Sequence, residues 1–159
     1  MAFTLSSPVF AEGDEIPARS TCEGEDISPR LVWSAPPPGT KSLALIVDDP
    51  DAPDPRAPKM IWTHWVLYNL PPAAGSLPEG ADRSALPAGA RERHNDWKRP
   101  GYRGPCPPVG RHRYFHKLCA LDAVVADLGR PSKAQLEAAM KGHVLARSEL
   151  VGRYEKKGR

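Results

Sequence analysis

The chain has 159 residues, 40% of them apolar and 26% charged, with a mean hydropathy of −0.48. That is the profile of one globular domain spanning 1–159, and no stretch nears the 18 apolar residues of a membrane-spanning helix. Nineteen prolines exceed twice the usual ~5% share, which excludes a helix bundle or coiled coil. Charge is sorted along the chain. Residues 1–90 carry 6 Lys and Arg against 12 Asp and Glu, a balance of −6, and residues 91–159 carry 16 against 7, a balance of +9. No run of like charge marks a nucleic-acid-binding arm. The expected arrangement is that the two halves meet in one fold and neutralise each other.

An apolar stretch, Phe3 to Phe10, comes first. Leu31 and Trp33, two apart, have strand spacing. Ser42–Val47 is a continuous apolar run and reads as a buried strand, ending where Asp48-Asp49-Pro50-Asp51 begins. Ile61–Leu70 is the strongest strand, rich in aromatic and β-branched residues. Strict alternation puts Trp62, His64, Val66 and Tyr68 on one face and Thr63, Trp65, Leu67 and Asn69 on the other. Residues 71–110 are dense in proline and glycine and read as a long functional loop. Arg111–Leu121 is a further strand, and 124–128 a candidate short one. Ser132–Gly142 is the one clear helix, with Ser132 as N-cap, Gln135 completing a capping box, and Gly142 as its stop. Val144–Tyr154 returns to a strand pattern. The fold class is therefore mostly β, an antiparallel sandwich with one or two short peripheral helices.

Among residues able to do chemistry, the aspartates 48, 49, 51 and 54 read first as a solvated turn, or as a carboxylate turned inward onto a ligand or histidine. No glycine gives them the sharp turn of a calcium loop. His64, mid-strand among aromatics, reads as a core residue. His112 and His116 lie about 13 Å apart on a strand and cannot share an ion. Cys106, between two prolines and near Lys98, Arg99 and Arg103, is a weak candidate nucleophile. Three cysteines, an odd number, fit a reducing compartment, and the N-terminus lacks a basic segment leading an apolar one. A cytoplasmic location is expected.

Five segments taken in order are more specific: Ile27-Ser28-Pro29-x-Leu31-x-Trp33; Pro38-Gly39-Thr40-Lys41-Ser42-Leu43; Asp49-Pro50-Asp51-Ala52-Pro53; Trp62-x-His64-Trp65-Val66-x-x-Asn69-Leu70-Pro71; and Gly101-Tyr102-x-Gly104-Pro105-Cys106-Pro107-Pro108-x-Gly110-x-His112-Arg113-Tyr114. Together they resemble the phosphatidylethanolamine-binding protein family, in its prokaryotic Raf-kinase-inhibitor-like branch, over about residues 10–155. The resemblance implies a pocket for a small anion or phosphorylated head group, lined by Asp49, His64, Pro107, His112 and Tyr114, with Trp62 at the rim and Cys106 beside it. It implies binding without catalysis, no cofactor and no metal. It also implies, as a second reading, an inhibitor-like partner of a kinase or protease, and a homodimer. In this picture both imidazoles donate to the anion, and Asp49 sets the tautomer of one of them. Met60 stands where family members often have tyrosine.

Overall fold

A computed structural model describes residues 2–84, 86–126 and 132–158. It contains eight strands, β1 (Leu5–Ser6), β2 (Leu31–Trp33), β3 (Ser42–Ala52), β4 (Met60–Leu70), β5 (Ser76–Leu77), β6 (Arg91–Glu92), β7 (Arg111–Leu121) and β8 (Val144–Glu155), and one helix, α1 (Lys133–Met140). Two antiparallel sheets form, of order β1-β2-β5 and β6-β4-β3-β7-β8. One face of the larger sheet packs Leu43, Leu45, Val47, Trp65, Leu67 and Leu118 against Leu5, Leu31, Trp33 and Leu77 of the smaller sheet. The other face packs Ala44, Ile46, Val66 and Tyr68 under Leu136 and Met140 of α1. The alternation of β3 serves both layers, which is why its sequence reads as a continuous apolar run.

The caps of α1 are those the sequence predicts. The Gln135 N–H donates to Ser132 Oγ at 3.0 Å and the Ser132 N–H to Gln135 Oε1 at 2.8 Å. The short strand expected at 124–128 is not formed at 124–126, and 127–128 lie outside the described residues. Among the described residues of 71–110 only β5, β6 and one 3-10 turn, Pro72–Ala74, are regular.

Two expectations about strands are corrected. The aspartates do not end β3, which runs to Ala52 with Asp48, Asp49 and Asp51 all buried. Each buried carboxylate there has a basic partner from the second half of the chain. Asp48 takes Lys117 and Lys133 at 3.1 and 3.0 Å. Asp51 takes the Arg113 guanidinium through Nε at 3.0 Å and Nη2 at 2.9 Å, and its backbone N–H at 2.9 Å. Charged partners let carboxylates continue a buried strand that solvent exposure would otherwise end.

Strict alternation along β4 also fails, once between Leu67 and Leu70 and once at His64. Val47 pairs with Trp65, but Asp48 pairs with Thr63, so His64 is an extra residue in β4. Such a bulge re-aims the side chains beyond it. Trp62 and His64 therefore leave the face of Val66 and Tyr68 and turn toward the side that carries Asp49 and Tyr114.

Candidate functional site

That bulge places His64 at the wall of a cavity of about 240 Å³. All seven residues singled out from the sequence, Asp49, Trp62, His64, Cys106, Pro107, His112 and Tyr114, line it. β3 supplies Asp49, β4 supplies Trp62 and His64, and β7 supplies His112 and Tyr114 two residues apart on one face. Ala52, Pro53, Met60, Trp97 and Pro108 complete the wall.

Trp97 was not singled out from the sequence. It sits in the proline-rich loop, and the nearest signal was an aromatic residue inside a polar segment. Asp96 fastens this part of the loop to β4: its N–H donates to Thr63 O at 2.9 Å, and its Oδ2 accepts the Thr63 N–H at 2.6 Å. The Trp97 ring then meets His64 edge-on at 5.0 Å and Trp62 at 5.5 Å. Tyr114 also meets His64 edge-on, at 5.2 Å. Two aromatic rings thus pack on His64, which fixes its plane.

Hydrogen bonds settle which ring nitrogens are protonated. His64 Nδ1 lies 2.6 Å from the Arg103 carbonyl. A carbonyl only accepts, so Nδ1 carries the proton and Nε2 is a bare acceptor. Burial lowers the pKa of His64 to about 3, so it stays neutral near pH 7. Among the described residues Nε2 has no protein partner, and it is not sealed from solvent. The Tyr114 hydroxyl is in the same position, unpartnered and open to the cavity.

His112 differs. Its Nε2 lies 2.9 Å from Val109 O and 3.1 Å from Pro53 O, so it must donate to those carbonyls. Its Nδ1 shares a proton with Asp49 Oδ2 across 2.6 Å, and Asp49 Oδ1 accepts the Asp51 N–H at 2.7 Å. Burial pushes the Asp49 carboxyl up, while the His112 hydrogen bond opposes that shift. Whichever atom holds the shared proton, the pair carries no net charge. Two imidazolium donors, expected from residue types, are therefore not what this cavity offers. His112 spends both nitrogens on the protein and braces the Pro53 and Val109 turns.

The reading of the cysteines is also corrected. Cys106 is bonded to Cys22, 84 residues away, so its sulfur is no thiolate nucleophile. The cysteine argument for a reducing compartment falls with it. Cys119 is free, and burial raises its pKa. No helix among the described residues is long and apolar enough to cross a membrane, and no group of three or more metal-ligating side chains gathers there.

The profile of the phosphatidylethanolamine-binding protein family matches residues 6–155. The chain belongs to that family. A relative in Methanothermobacter thermautotrophicus, described as a UPF0098 protein, is 47% identical over 96% of this chain and 98% of its own. A solved structure from Chlamydia trachomatis, described as a putative homolog of the family, superposes with a TM-score of 0.89 at 42% identity, covering 98% of this chain and 99% of that one. YbcL of E. coli, described as a new member of the mammalian family, superposes at 0.87 with 33% identity, covering 99% and 100%. The family's binding character thus coincides with a cavity that neutral, braced side chains hold open.

Proposed function

We propose that this family member binds a small phosphorylated head group in the Asp49–His64–Tyr114 cavity, without covalent chemistry. The observation that carries the reading is the pairing of two unpartnered polar atoms, His64 Nε2 and the Tyr114 hydroxyl, at one cavity. One is a fixed acceptor and the other a donor. A phosphate that keeps one proton matches both, its P–OH donating to His64 and a P–O⁻ accepting from Tyr114. Trp62, Trp97 and Met60 offer apolar area to the carbon part of the ligand. The rings around His64 and the hydrogen bonds of His112 keep the site preformed, which lowers the ordering cost of binding. Absence of catalysis is part of the proposal, supported by the bonded sulfur of Cys106 and the engaged nitrogens of His112.

A thermal-shift titration with inorganic phosphate and phosphoethanolamine tests it. A ligand specific for the folded state raises Tm with concentration. The rise should vanish in Tyr114→Phe and in His64→Phe. With phosphate it should also shrink as pH passes the ligand's second pKa, while His64 stays neutral throughout. A Tm insensitive to both ligands in the wild type, or a rise unchanged in Tyr114→Phe, refutes the reading.

A further inference from the structure

A second cavity, of about 310 Å³, has a polar lining that includes Arg103. Arg83, Arg99 and Arg103 line it together with Asp26, Pro100 and Tyr102. Three guanidiniums therefore share one space with a single carboxylate. That carboxylate is already committed: Asp26 Oδ1 accepts the Gly104 N–H at 2.8 Å, and its Oδ2 stands 3.5 Å from Arg103 Nε. Burial also pushes the Asp26 carboxyl up, which weakens it as a counter-charge. Asp82 is a second acid acting on Asp26; its Oδ2 accepts the Tyr102 N–H at 3.0 Å, and its Oδ1 is buried without a hydrogen-bond partner among the described residues. Asp26 sits at φ 58°, a left-handed value that a non-glycine residue adopts at a cost. The turn is held in place by Arg83 Nη2, which donates to the Glu25 and Asp26 carbonyls at 3.0 and 2.8 Å.

The remaining donors are unused. Arg83 binds through Nη2 alone, and the Arg99 guanidinium donates no hydrogen bond among the described residues. Crowded guanidiniums repel one another, and an anion placed among them relieves the repulsion while satisfying their forks. A carboxylate has two oxygens for three forks. A phosphate dianion has an oxygen for each. We infer that the Arg83–Arg99–Arg103 cavity is a second binding site, specific for a dianionic phosphate group and separate from the head-group cavity.

Arg103 connects the two sites. Its carbonyl fixes the tautomer of His64, its N–H donates back to His64 O at 3.3 Å, and its guanidinium lies over the Trp97 ring at 5.1 Å. A phosphate that draws the guanidinium toward Arg83 and Arg99 changes its stacking on Trp97, the ring that lines the first cavity. Occupancy of the arginine site is thereby reported at the head-group site.

Side-chain NMR of the ¹⁵N-labelled protein tests the inference, with inorganic phosphate and glycerol 3-phosphate added at constant ionic strength. The arginine Nε–Hε signals of residues 83, 99 and 103 and the Trp97 Nε1–H signal should move together and saturate. Arg99→Glu, a change at an exposed side chain, should weaken that response at least tenfold. Tyr114→Phe should leave it in place. The tighter of the two probes tells whether free or esterified phosphate is the ligand. A saturable response of equal strength in Arg99→Glu, a response lost in Tyr114→Phe, or arginine signals that never saturate would each overturn the assignment.

Discussion

Opening the Cys22–Cys106 bond is the perturbation whose size follows most directly from the fold. The bond closes a loop with a sequence separation of 84 residues. The chain-entropy relation gives about 15 cal/mol/K for a loop of that size, or about 4.5 kcal/mol at 25 °C. Unfolding 159 residues releases about 330 cal/mol/K, so the reduced protein should melt about 13 °C lower. The native state should change little, because non-covalent ties span the same gap. The Cys22 N–H donates to Pro105 O at 3.1 Å, and the Tyr102 hydroxyl donates to Ser20 O at 2.7 Å. Cys22 is exposed, so a phosphine reductant reaches the bond without prior unfolding. Scanning calorimetry on the oxidised protein, the reduced protein and Cys22→Ser/Cys106→Ser reads the effect, and the last two should agree. The urea m-value should rise in both, since the released unfolded chain exposes more surface. A fall in Tm below about 3 °C would refute the entropic reasoning.

Three further outcomes follow from buried groups. His64 and His116 have pKa values lowered by burial to about 3 and about 4, below the unfolded value near 6.5. The unfolded chain thus binds more protons below pH 6.5, and stability falls on acidification by about 1.4 kcal/mol per pH unit for each histidine. Urea midpoints at pH 7.5 and 5.0 check this, and equal midpoints contradict it. Gly104→Ala would put a Cβ 1.9 Å from the Ser20 carbonyl oxygen, whereas one at Gly13 meets nothing within 4 Å. The first change should cost more than about 3 kcal/mol and the second, at φ 81°, about 1 kcal/mol, as read by denaturant titration. Asp49→Ala strands His112 Nδ1 in the interior and should destabilise by about 3–5 kcal/mol, whereas a loss under 1 kcal/mol would show that the pair is not the brace described.

Local chemistry carried most of the architecture. The aromatic and β-branched run of β4, the apolar run of β3 and the capping box of α1 are properties of neighbouring residues, and they read directly. What escaped depends on residues far apart in sequence. Asp48 and Asp51 look like strand breakers until Lys117, Lys133 and Arg113 arrive from more than 60 residues away. The bulge at His64 is a mismatch between two strands, so neither strand's own pattern discloses it. At the candidate site the residue types were legible from a family resemblance, but their protonation was not. That is set by which carbonyls the chain folds against each imidazole, Arg103 for one and Pro53 and Val109 for the other. The disulfide joins cysteines that no spacing rule pairs, and Trp97 reaches the cavity only because Asp96 clips its loop to β4.

The pairing of early aspartates with late lysines and arginines has a consequence for synthesis on the ribosome. β3 and β4 adjoin in sequence and can pair as a hairpin while the rest of the chain is still unmade. The other neighbour of β3 is β7, whose paired residues emerge 67 to 79 positions later, and Lys133 comes later still. Until then the nascent hairpin exposes an unpaired edge and holds Asp48 and Asp51 as solvated anions. Those charges oppose premature burial and edge-to-edge association with another chain. They stop opposing it when Arg113 and Lys117 arrive on the strand that closes the edge. The same carboxylates that lock the finished sheet therefore act as gatekeepers while it is incomplete.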